Sequence, residues 1–142
     1  MEINPLATLD NVEPDDLDSA PIVVLNLLKF KSGESLSTYL EYARRVMTEC
    51  GDSGIELLYG GELKEQIQGE IGGWDAVLIV RYPSRRHAYE MFRSEIYQDI
   101  NPLAEAALEK RVLWTSEPVF PYKSQSGDFE GGKWFKMLQA GL

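Results

Sequence analysis

The stretch of sequence that decides the fold is Trp74-Asp75-Ala76-Val77-Leu78-Ile79-Val80-Arg81-Tyr82-Pro83-Ser84. Both of its alternating faces are largely apolar, which predicts a strand that is covered on its two sides. Pro83 ends the strand, and Ser84 is a favourable N-cap for the amphipathic run at residues 85–97. The stretch therefore predicts a buried strand followed directly by a helix.

A second unit of the same kind occupies the first half of the chain. Residues 22–30 are also apolar on both alternating faces and predict another strand that is covered on both sides. Apolar residues at helical spacing follow over residues 36–50, and Gly51 ends that helix. Since helices can cover only one face of the sheet, we expect a second subunit to cover the other.

The remaining elements complete one α+β domain. A strand is expected at residues 55 to about 63, and a glycine-rich segment at 68–73 joins it to the next strand as a long loop. Asn101-Pro102 has the form of an N-cap followed by a first-turn proline, so a separate helix is expected from there to about Lys110. With a last strand at 111–119, the order is β-α-β-β-α-(α)-β, which predicts a ferredoxin-like fold with an antiparallel sheet.

The chain length of 142 residues suits a single domain. Residues 1–20 are interpreted as an N-terminal leader, residues 21–120 as the core domain, and residues 121–142 as a C-terminal tail. The tail contains Trp134-Phe135-Lys136-Met137-Leu138, whose apolar side chains are expected to pack on the core or on a partner subunit.

Composition narrows the classes of function. The net charge of −9, from 14 basic and 23 acidic residues, argues against nucleic acid, because phosphate binding needs a basic surface. One histidine, His87, and one cysteine, Cys50, cannot form a His/Cys metal cluster, so we expect neither a metal nor a cofactor. No apolar run approaches the roughly 18 residues of a membrane span, and no export signal is visible. A soluble, cytoplasmic protein without membrane contact is expected.

A set of motifs resembles the family of domain of unknown function 1330. The set comprises Val24-Leu25-Asn26-Leu27-Leu28-Lys29-Phe30, Tyr39, Tyr42, Gly60-Gly61, Trp74-Asp75, Arg81-Tyr82-Pro83-Ser84-Arg85, Met91 and Tyr97. The resemblance covers about residues 20–118. It implies a dimeric α+β barrel, similar to cofactor-free monooxygenases and small isomerases, with a small pocket between sheet and helices in each subunit. Members often carry a His-Arg pair after the tyrosine that corresponds to Tyr97, whereas this chain has Asn101-Pro102-Leu103-Ala104 there.

The candidate pocket residues follow from that architecture. Asn26 interrupts an otherwise apolar strand, and an unpaired buried amide would cost roughly 1–3 kcal/mol. It is therefore either bonded to backbone or ordered water, or it orients a ligand carbonyl or hydroxyl. The third strand contributes Trp74 or, on the opposite parity, Arg81, and the second helix contributes Met91 and Tyr97. The sequence leaves the parity open, because a one-residue change of register swaps the faces.

Two classes of function remain open from the sequence. The first is a protein that binds a small apolar or aromatic metabolite, with cofactor-independent oxygenation or isomerisation as the chemistry implied by the resemblance. The second is a non-catalytic structural or interaction homodimer. No activated acid–base pair is visible, so the sequence does not decide whether the protein is an enzyme. A pocket of roughly several hundred Å³ with Asn26 and a second polar side chain would favour the first class.

Overall fold

A computed structural model describes residues 3–6, 20–70 and 72–141 of the chain. The predicted leader therefore lies largely outside the described residues. The elements, in chain order, are β1 (Ile22–Phe30), α1 (Ser35–Glu49), β2 (Glu56–Glu62), β3 (Ala76–Tyr82), α2 (Arg85–Arg93), α3 (Glu95–Ala107), β4 (Leu108–Ser116) and α4 (Lys133–Gln139). A 3₁₀ turn at Gly51–Ser53 follows α1, so the predicted end of this helix at Gly51 is confirmed.

The four strands form one antiparallel sheet in the order β2-β3-β1-β4. The two strands that the sequence predicted to be covered on both faces, β1 and β3, are the central pair. The sheet order and the β-α-β-β-α-β chain order together define the ferredoxin-like fold that the sequence predicted.

The pairing register fixes which side chains face the helices. Asn26 of β1 lies opposite Leu78 of β3 and Leu113 of β4, and its neighbours Val24 and Leu28 belong to the buried core beneath the helices. The even-numbered residues of β1 and β3 therefore face the helices. This resolves the parity that the sequence left open, because Asn26 lies on the helix side and Arg81 on the opposite face.

The second half contains one correction to the predicted helices. Asn101 does not begin a helix, because α3 already begins after Ser94, whose hydroxyl accepts a hydrogen bond from the Tyr97 backbone N–H at 3.1 Å. Pro102 lies inside this helix. Burial of the apolar face that carries Ile100 and Ala104 stabilises a continuous helix, which outweighs the local preference of the proline for a first turn.

The last strand also begins earlier than predicted. Leu108 starts β4 directly after α3, so the helix does not continue to Lys110 and the strand ends at Ser116. Leu108 is buried and pairs with Phe30 across a register shift in the sheet. The burial of this leucine in the core explains why the chain changes to strand geometry three positions before Arg111.

The C-terminal tail is attached to one end of the sheet face that α1 does not cover, at Arg81 and Glu56. Tyr122 pairs with Phe129 in an isolated bridge, and the Glu56 carboxylate of β2 accepts hydrogen bonds from the Gln125 and Ser126 backbone N–H groups. The division of the chain into leader, core and tail stays a prediction. Within the described ranges, the helices are all too short or too polar to cross a membrane.

Candidate functional site

A small cavity lies between α1 and the helix side of the sheet. Its volume is about 80 Å³, and four polar side chains, Asn26, Tyr39, Tyr42 and Tyr82, contribute to its wall. The rest of the wall is apolar and includes Val24, Val46, Leu78, Val80, Met91, Phe92 and Leu113. The cavity is an apolar chamber with a few polar groups, which is the usual composition of a small-molecule site.

Asn26 occupies the centre of the sheet beneath this cavity. Its Nδ2 donates a hydrogen bond to the Val24 carbonyl oxygen at 3.2 Å. Within the described part of the chain, no group donates to its Oδ1. The amide is therefore bonded to backbone at one end, while its carbonyl end can accept a hydrogen bond.

Tyr39 and Tyr82 are buried residues of the cavity wall. The exposed fractions of these residues are only 5% and 3%, yet neither hydroxyl bonds to any residue in the described ranges. Burial raises the pKa of both phenols above the ordinary value, so both stay neutral and can donate one hydrogen bond each. A ligand oxygen or a water molecule in the cavity would satisfy them.

A chain of hydrogen bonds, which we call the buried polar network, begins at Tyr42 and extends away from the cavity. The hydroxyls of Tyr42 and Tyr97 are 2.7 Å apart, and the Tyr97 hydroxyl donates to Asn101 Oδ1 at 3.2 Å. Asn101 Nδ2 donates to the Ile3 carbonyl oxygen at 2.7 Å. Arg111 Nη1 donates to Tyr42 Oη at 3.3 Å. Tyr42 is the described residue that belongs both to this network and to the cavity wall.

The structure separates the residues that the sequence proposed for the pocket. Asn26 and Met91 line the cavity, and Tyr97 lies one hydrogen bond behind it through Tyr42. Trp74 does not line it, since its ring packs under the Lys110 ammonium at 4.3 Å. Arg81 lies on the other face of the sheet.

Arg81 holds the C-terminal tail instead of a ligand. Its Nε donates to Tyr122 Oη at 3.0 Å and its Nη1 donates to Ser126 Oγ at 2.9 Å. The same turn is held by Glu56, which pairs with Arg81 across β2 and β3. Hydrogen bonds from the Ser126 hydroxyl and then from the Gln125 backbone N–H lower the pKa of Glu56 to about 2.

Sequence reasoning missed the roles of Tyr42, Tyr82 and Arg111. The signal for Tyr42 was its helical spacing with Tyr39 and Val46, which assigns it to the core side of α1. The signal for Arg111 was its position in the last strand, where side chains alternate between the two faces of the sheet. Val112 and Arg111 therefore point to opposite faces, and Arg111 pairs with Leu28 on the helix side. Neither pattern indicates that these side chains bond to each other across the core.

A wider groove adjoins the cavity at the ends of β1 and β2. Its volume is about 750 Å³, and it shares Tyr39 and Leu78 with the cavity wall. Leu36 and Leu40 of α1 form one side, and Gly60 of β2 lies on the other. A methyl group at Gly60 would lie 3.0 Å from a Leu78 methyl carbon, so the absence of a side chain at Gly60 avoids a close contact on this side of the groove. The groove borders the cavity, and its wall combines apolar side chains with the charged side chains of Lys29, Lys31, Glu62 and Asp75.

Metal binding has no support in the described ranges. They contain no group of three or more His, Cys, Asp or Glu side chains placed to hold a metal ion. Cys50 is a free, buried thiol.

The fold and the apolar cavity define a small ferredoxin-like protein with a chamber between sheet and helices. The chain belongs to the family described as Domain of unknown function (DUF1330), whose model matches residues 23–117.

The chain is similar to several solved structures. RPA0582, a protein of unknown function from Rhodopseudomonas palustris, is 23% identical over 82% of this chain and 92% of its own, with a TM-score of 0.68. The methylated RPA0582 protein gives 24% identity over 86% of this chain and 98% of its own, also with a TM-score of 0.68. A dimeric ferredoxin-like protein of unknown function from Bacteroides fragilis is 12% identical over 68% of this chain and 95% of its own, with a TM-score of 0.49. No curated protein matches the chain.

Proposed function

We propose that this protein binds a small apolar or aromatic metabolite in the cavity between α1 and the sheet. The observation that carries the proposal is that three side chains of the cavity wall, Asn26, Tyr39 and Tyr82, each have an oxygen atom without a protein partner in the described ranges. A ligand that displaces water from such a group without bonding to it loses about 1–3 kcal/mol. A ligand with one or two oxygen atoms would satisfy these groups.

The size of the cavity restricts the ligand. Its volume of about 80 Å³ is well below the several hundred Å³ that the sequence analysis set as support for this class. It is also about half of the roughly 150 Å³ that holds benzene in an engineered cavity. We therefore propose that one end of a flat ligand enters the cavity, while the remainder lies in the groove beside Leu36 and Leu40.

Binding has more support than catalysis. The cavity wall, as far as the described residues form it, has no carboxylate and no imidazole that could act as a general base. Cofactor-independent oxygenation and isomerisation remain the chemistries that the family resemblance implies for a bound substrate. A turnover assay is meaningful only once a ligand has been found.

The test is a thermal-shift and calorimetry experiment with phenol and toluene as probes. Phenol is expected to raise the melting temperature more than toluene, because its hydroxyl can bond to Asn26 or to a tyrosine. Asn26→Ala is expected to abolish phenol binding while the fold remains. Ser116→Ala is the matched control, because it removes a hydrogen bond of 2.8 Å from a strand side chain to the Val23 carbonyl, outside the cavity. Unchanged phenol binding by Asn26→Ala, or binding of neither probe, would contradict the proposal.

The second candidate is a homodimer formed through the open face of the sheet, with or without a ligand. Cross-strand pairing brings Tyr59, Ile79, Leu25 and Trp114 into one row on this face. Tyr59 is 59% exposed and Trp114 is 68% exposed. Four strands present a projected face of about 400 Å². Monomers seldom leave so large an apolar face in water, and a second copy of the same face would cover it.

Sedimentation velocity tests the dimer. The wild-type chain is expected to sediment as a dimer at micromolar concentration, and Trp114→Lys is expected to give a folded monomer, because it introduces a charge at the β4 end of the exposed apolar row. Ile96→Lys is the control, since Ile96 is similarly exposed but belongs to α3, on the other side of the sheet. A wild-type monomer would refute the homodimer, and a dimer that binds neither probe would favour the non-catalytic structural role.

A further inference from the structure

Two tyrosine hydroxyls and one amide oxygen of the cavity wall are available to a ligand. The hydroxyls of Tyr39 and Tyr82 have no acceptor for their hydrogens among the described residues, whereas the Tyr42 hydroxyl lies 2.7 Å from that of Tyr97. The hydrogen bond from Asn26 Nδ2 to a backbone carbonyl fixes the orientation of the amide, which leaves Oδ1 as an acceptor. The cavity wall therefore offers two donors and one acceptor.

These three oxygen atoms reach space that a water-sized molecule can enter. Within the described ranges, Arg85 Nε is the polar side-chain atom that is both sealed from water and without a partner. The oxygens of Tyr39, Tyr82 and Asn26 also lack a partner there, so they are not sealed. All three residues line the cavity. The space that the oxygens reach is therefore the cavity or, for Tyr39, its junction with the groove.

The two hydroxyl hydrogens are the strictest requirement on a ligand. A carbonyl or hydroxyl oxygen can leave a lone pair unused, whereas a buried donor without an acceptor is rarer in proteins. Burial raises the pKa of both phenols, so Tyr39 and Tyr82 keep their hydrogens at neutral pH. A group that replaces water in the cavity must therefore accept a hydrogen bond from each of them.

The size of the cavity brings the three polar groups to one ligand atom. Tyr39 belongs to the helix wall, and Tyr82 and Asn26 belong to the sheet wall. A cavity of about 80 Å³ holds only one end of a ligand, so both walls contact the same end. An aliphatic hydroxyl has two lone pairs and one hydrogen, which matches two donors and one acceptor. A carbonyl oxygen matches the donors but leaves Asn26 Oδ1 without a partner.

We propose that the ligand is a neutral alcohol with an apolar body, whose hydroxyl accepts hydrogen bonds from Tyr39 and Tyr82 and donates one to Asn26 Oδ1. This inference rests on the proposed ligand-binding function and deepens it by naming the group that the cavity recognises. The described residues of the wall include neither a carboxylate nor a cation, so a charged group would enter without a counter-charge. The apolar body lies in the groove beside Leu36 and Leu40.

The test compares three probes of similar shape, 1-phenylethanol, acetophenone and α-methylstyrene, by calorimetry. At the same position they carry a hydroxyl group, a carbonyl oxygen and a methylene group. The wild-type protein is expected to bind the alcohol most tightly and the hydrocarbon least tightly, with each hydrogen bond worth roughly two- to tenfold in Kd. Transfer from water alone would favour the hydrocarbon, so this order reports the polar contacts.

Single variants assign each hydrogen bond. Tyr39→Phe and Tyr82→Phe are each expected to weaken binding of the alcohol and the ketone by roughly two- to tenfold and to leave the hydrocarbon unchanged. Both retain the ring and lose a hydroxyl that has no partner in the described ranges, so the fold is expected to remain. Asn26→Ala is expected to reduce the preference for the alcohol over the ketone. Tyr89→Phe is the matched control, because Tyr89 is also buried but does not line the cavity.

The outcomes separate this inference from the proposed function. The expected order of the probes in the wild type and in Tyr89→Phe, with weaker alcohol binding in Tyr39→Phe and Tyr82→Phe, supports recognition of an alcohol. A ketone or hydrocarbon that binds as tightly as the alcohol, or alcohol binding that is unchanged in both tyrosine variants, overturns the inference and leaves the ligand-binding function standing. Failure to bind any of the three probes, phenol or toluene overturns the proposed function itself.

Discussion

At the scale of single residues, the sequence identified a polar residue in the sheet but not its partners. Asn26 was recognisable because an amide among apolar strand residues is costly unless it is bonded. Tyr42 and Arg111 were not, because their contact joins positions 69 residues apart, and a single sequence does not show which distant side chains meet. Arg81 remained ambiguous for a simpler reason, since either face of the strand was possible until the register was known.

The buried polar network makes a measurable contribution to stability. Tyr97 is fully buried, and Tyr97→Phe removes a hydroxyl that bonds to both Tyr42 and Asn101. We expect the free energy of unfolding to fall by about 1–3 kcal/mol in urea denaturation, because Asn101 Oδ1 loses its tyrosine donor. Tyr59→Phe, which alters an exposed hydroxyl, is the control and is expected to change stability by less than about 0.5 kcal/mol. Equal stabilities of the two variants would show that the network is not stabilising.

Glu56 predicts a pH dependence for the attachment of the tail. Its pKa lies at about 2 in the folded protein, below its ordinary 4.5, because the Ser126 hydroxyl and the Gln125 N–H bond to the carboxylate. A lowered folded pKa contributes stability above pH 4.5, and this contribution is lost as the pH falls toward 2. Hydrogen exchange at the Gln125 and Ser126 amides is therefore expected to accelerate over this interval.

The matched variants for this prediction lie on the same strand. Glu56→Gln is expected to show fast exchange at every pH, whereas Glu62→Gln, which alters an exposed carboxylate 3.4 Å from Lys64, is expected to behave like the wild type. An identical pH profile in Glu56→Gln and the wild type would contradict the assigned role of Glu56.

At the scale of elements, strands were easier to predict than the helix that contains a proline. Residues 22–30 were predicted as β1 with the bounds that the structure shows, because a strand covered on both faces is apolar along its whole length. The Ser84 cap of α2 is confirmed by its hydrogen bond from the His87 N–H at 3.1 Å. At Pro102, the local preference of proline for a first helical turn conflicts with the packing of α3 on the core. The helix continues through the proline, so the packing prevails.

Pro102 provides a direct test of that disagreement. It is exposed inside α3 and has no N–H to donate to the carbonyl one turn earlier. We expect Pro102→Ala to raise the free energy of unfolding by about 1–3 kcal/mol, because the missing helical hydrogen bond is restored. Asp99→Ala, at an exposed position of the same helix, is the control for helix propensity and is expected to add less than about 0.7 kcal/mol. A loss of stability in Pro102→Ala would show that the proline shapes the helix.

At the scale of the whole molecule, the order of strands and helices was predictable from the sequence. That order does not determine how subunits assemble. The alternation of strands and helices leads to one sheet with helices on one face, and this explains why the apolar open face was foreseen. The family resemblance implied a pocket between sheet and helices, but its volume could not be foreseen, because it depends on how α1 packs against β2.

The C-terminal tail connects the fold to the proposed dimer. Trp134, Met137 and Leu138 of α4 are each about half exposed, although Trp134 contacts Phe120 with ring centres 6.2 Å apart. We expect truncation after Tyr122 to lower the melting temperature or to weaken the dimer, because it removes these apolar side chains and the turn that Glu56 holds. A truncated chain with unchanged melting temperature and unchanged sedimentation would contradict both roles.

The central claim is that the cavity beside Asn26 binds a small ligand, and a crystal structure of the protein soaked with phenol tests it most directly. The account predicts a phenol ring against Leu78, where the cavity meets the groove, with its oxygen in the cavity within hydrogen-bond distance of Asn26 Oδ1 or of the Tyr39, Tyr42 or Tyr82 hydroxyl. A cavity closed by its own side chains, or phenol bound only elsewhere on the protein, would contradict it.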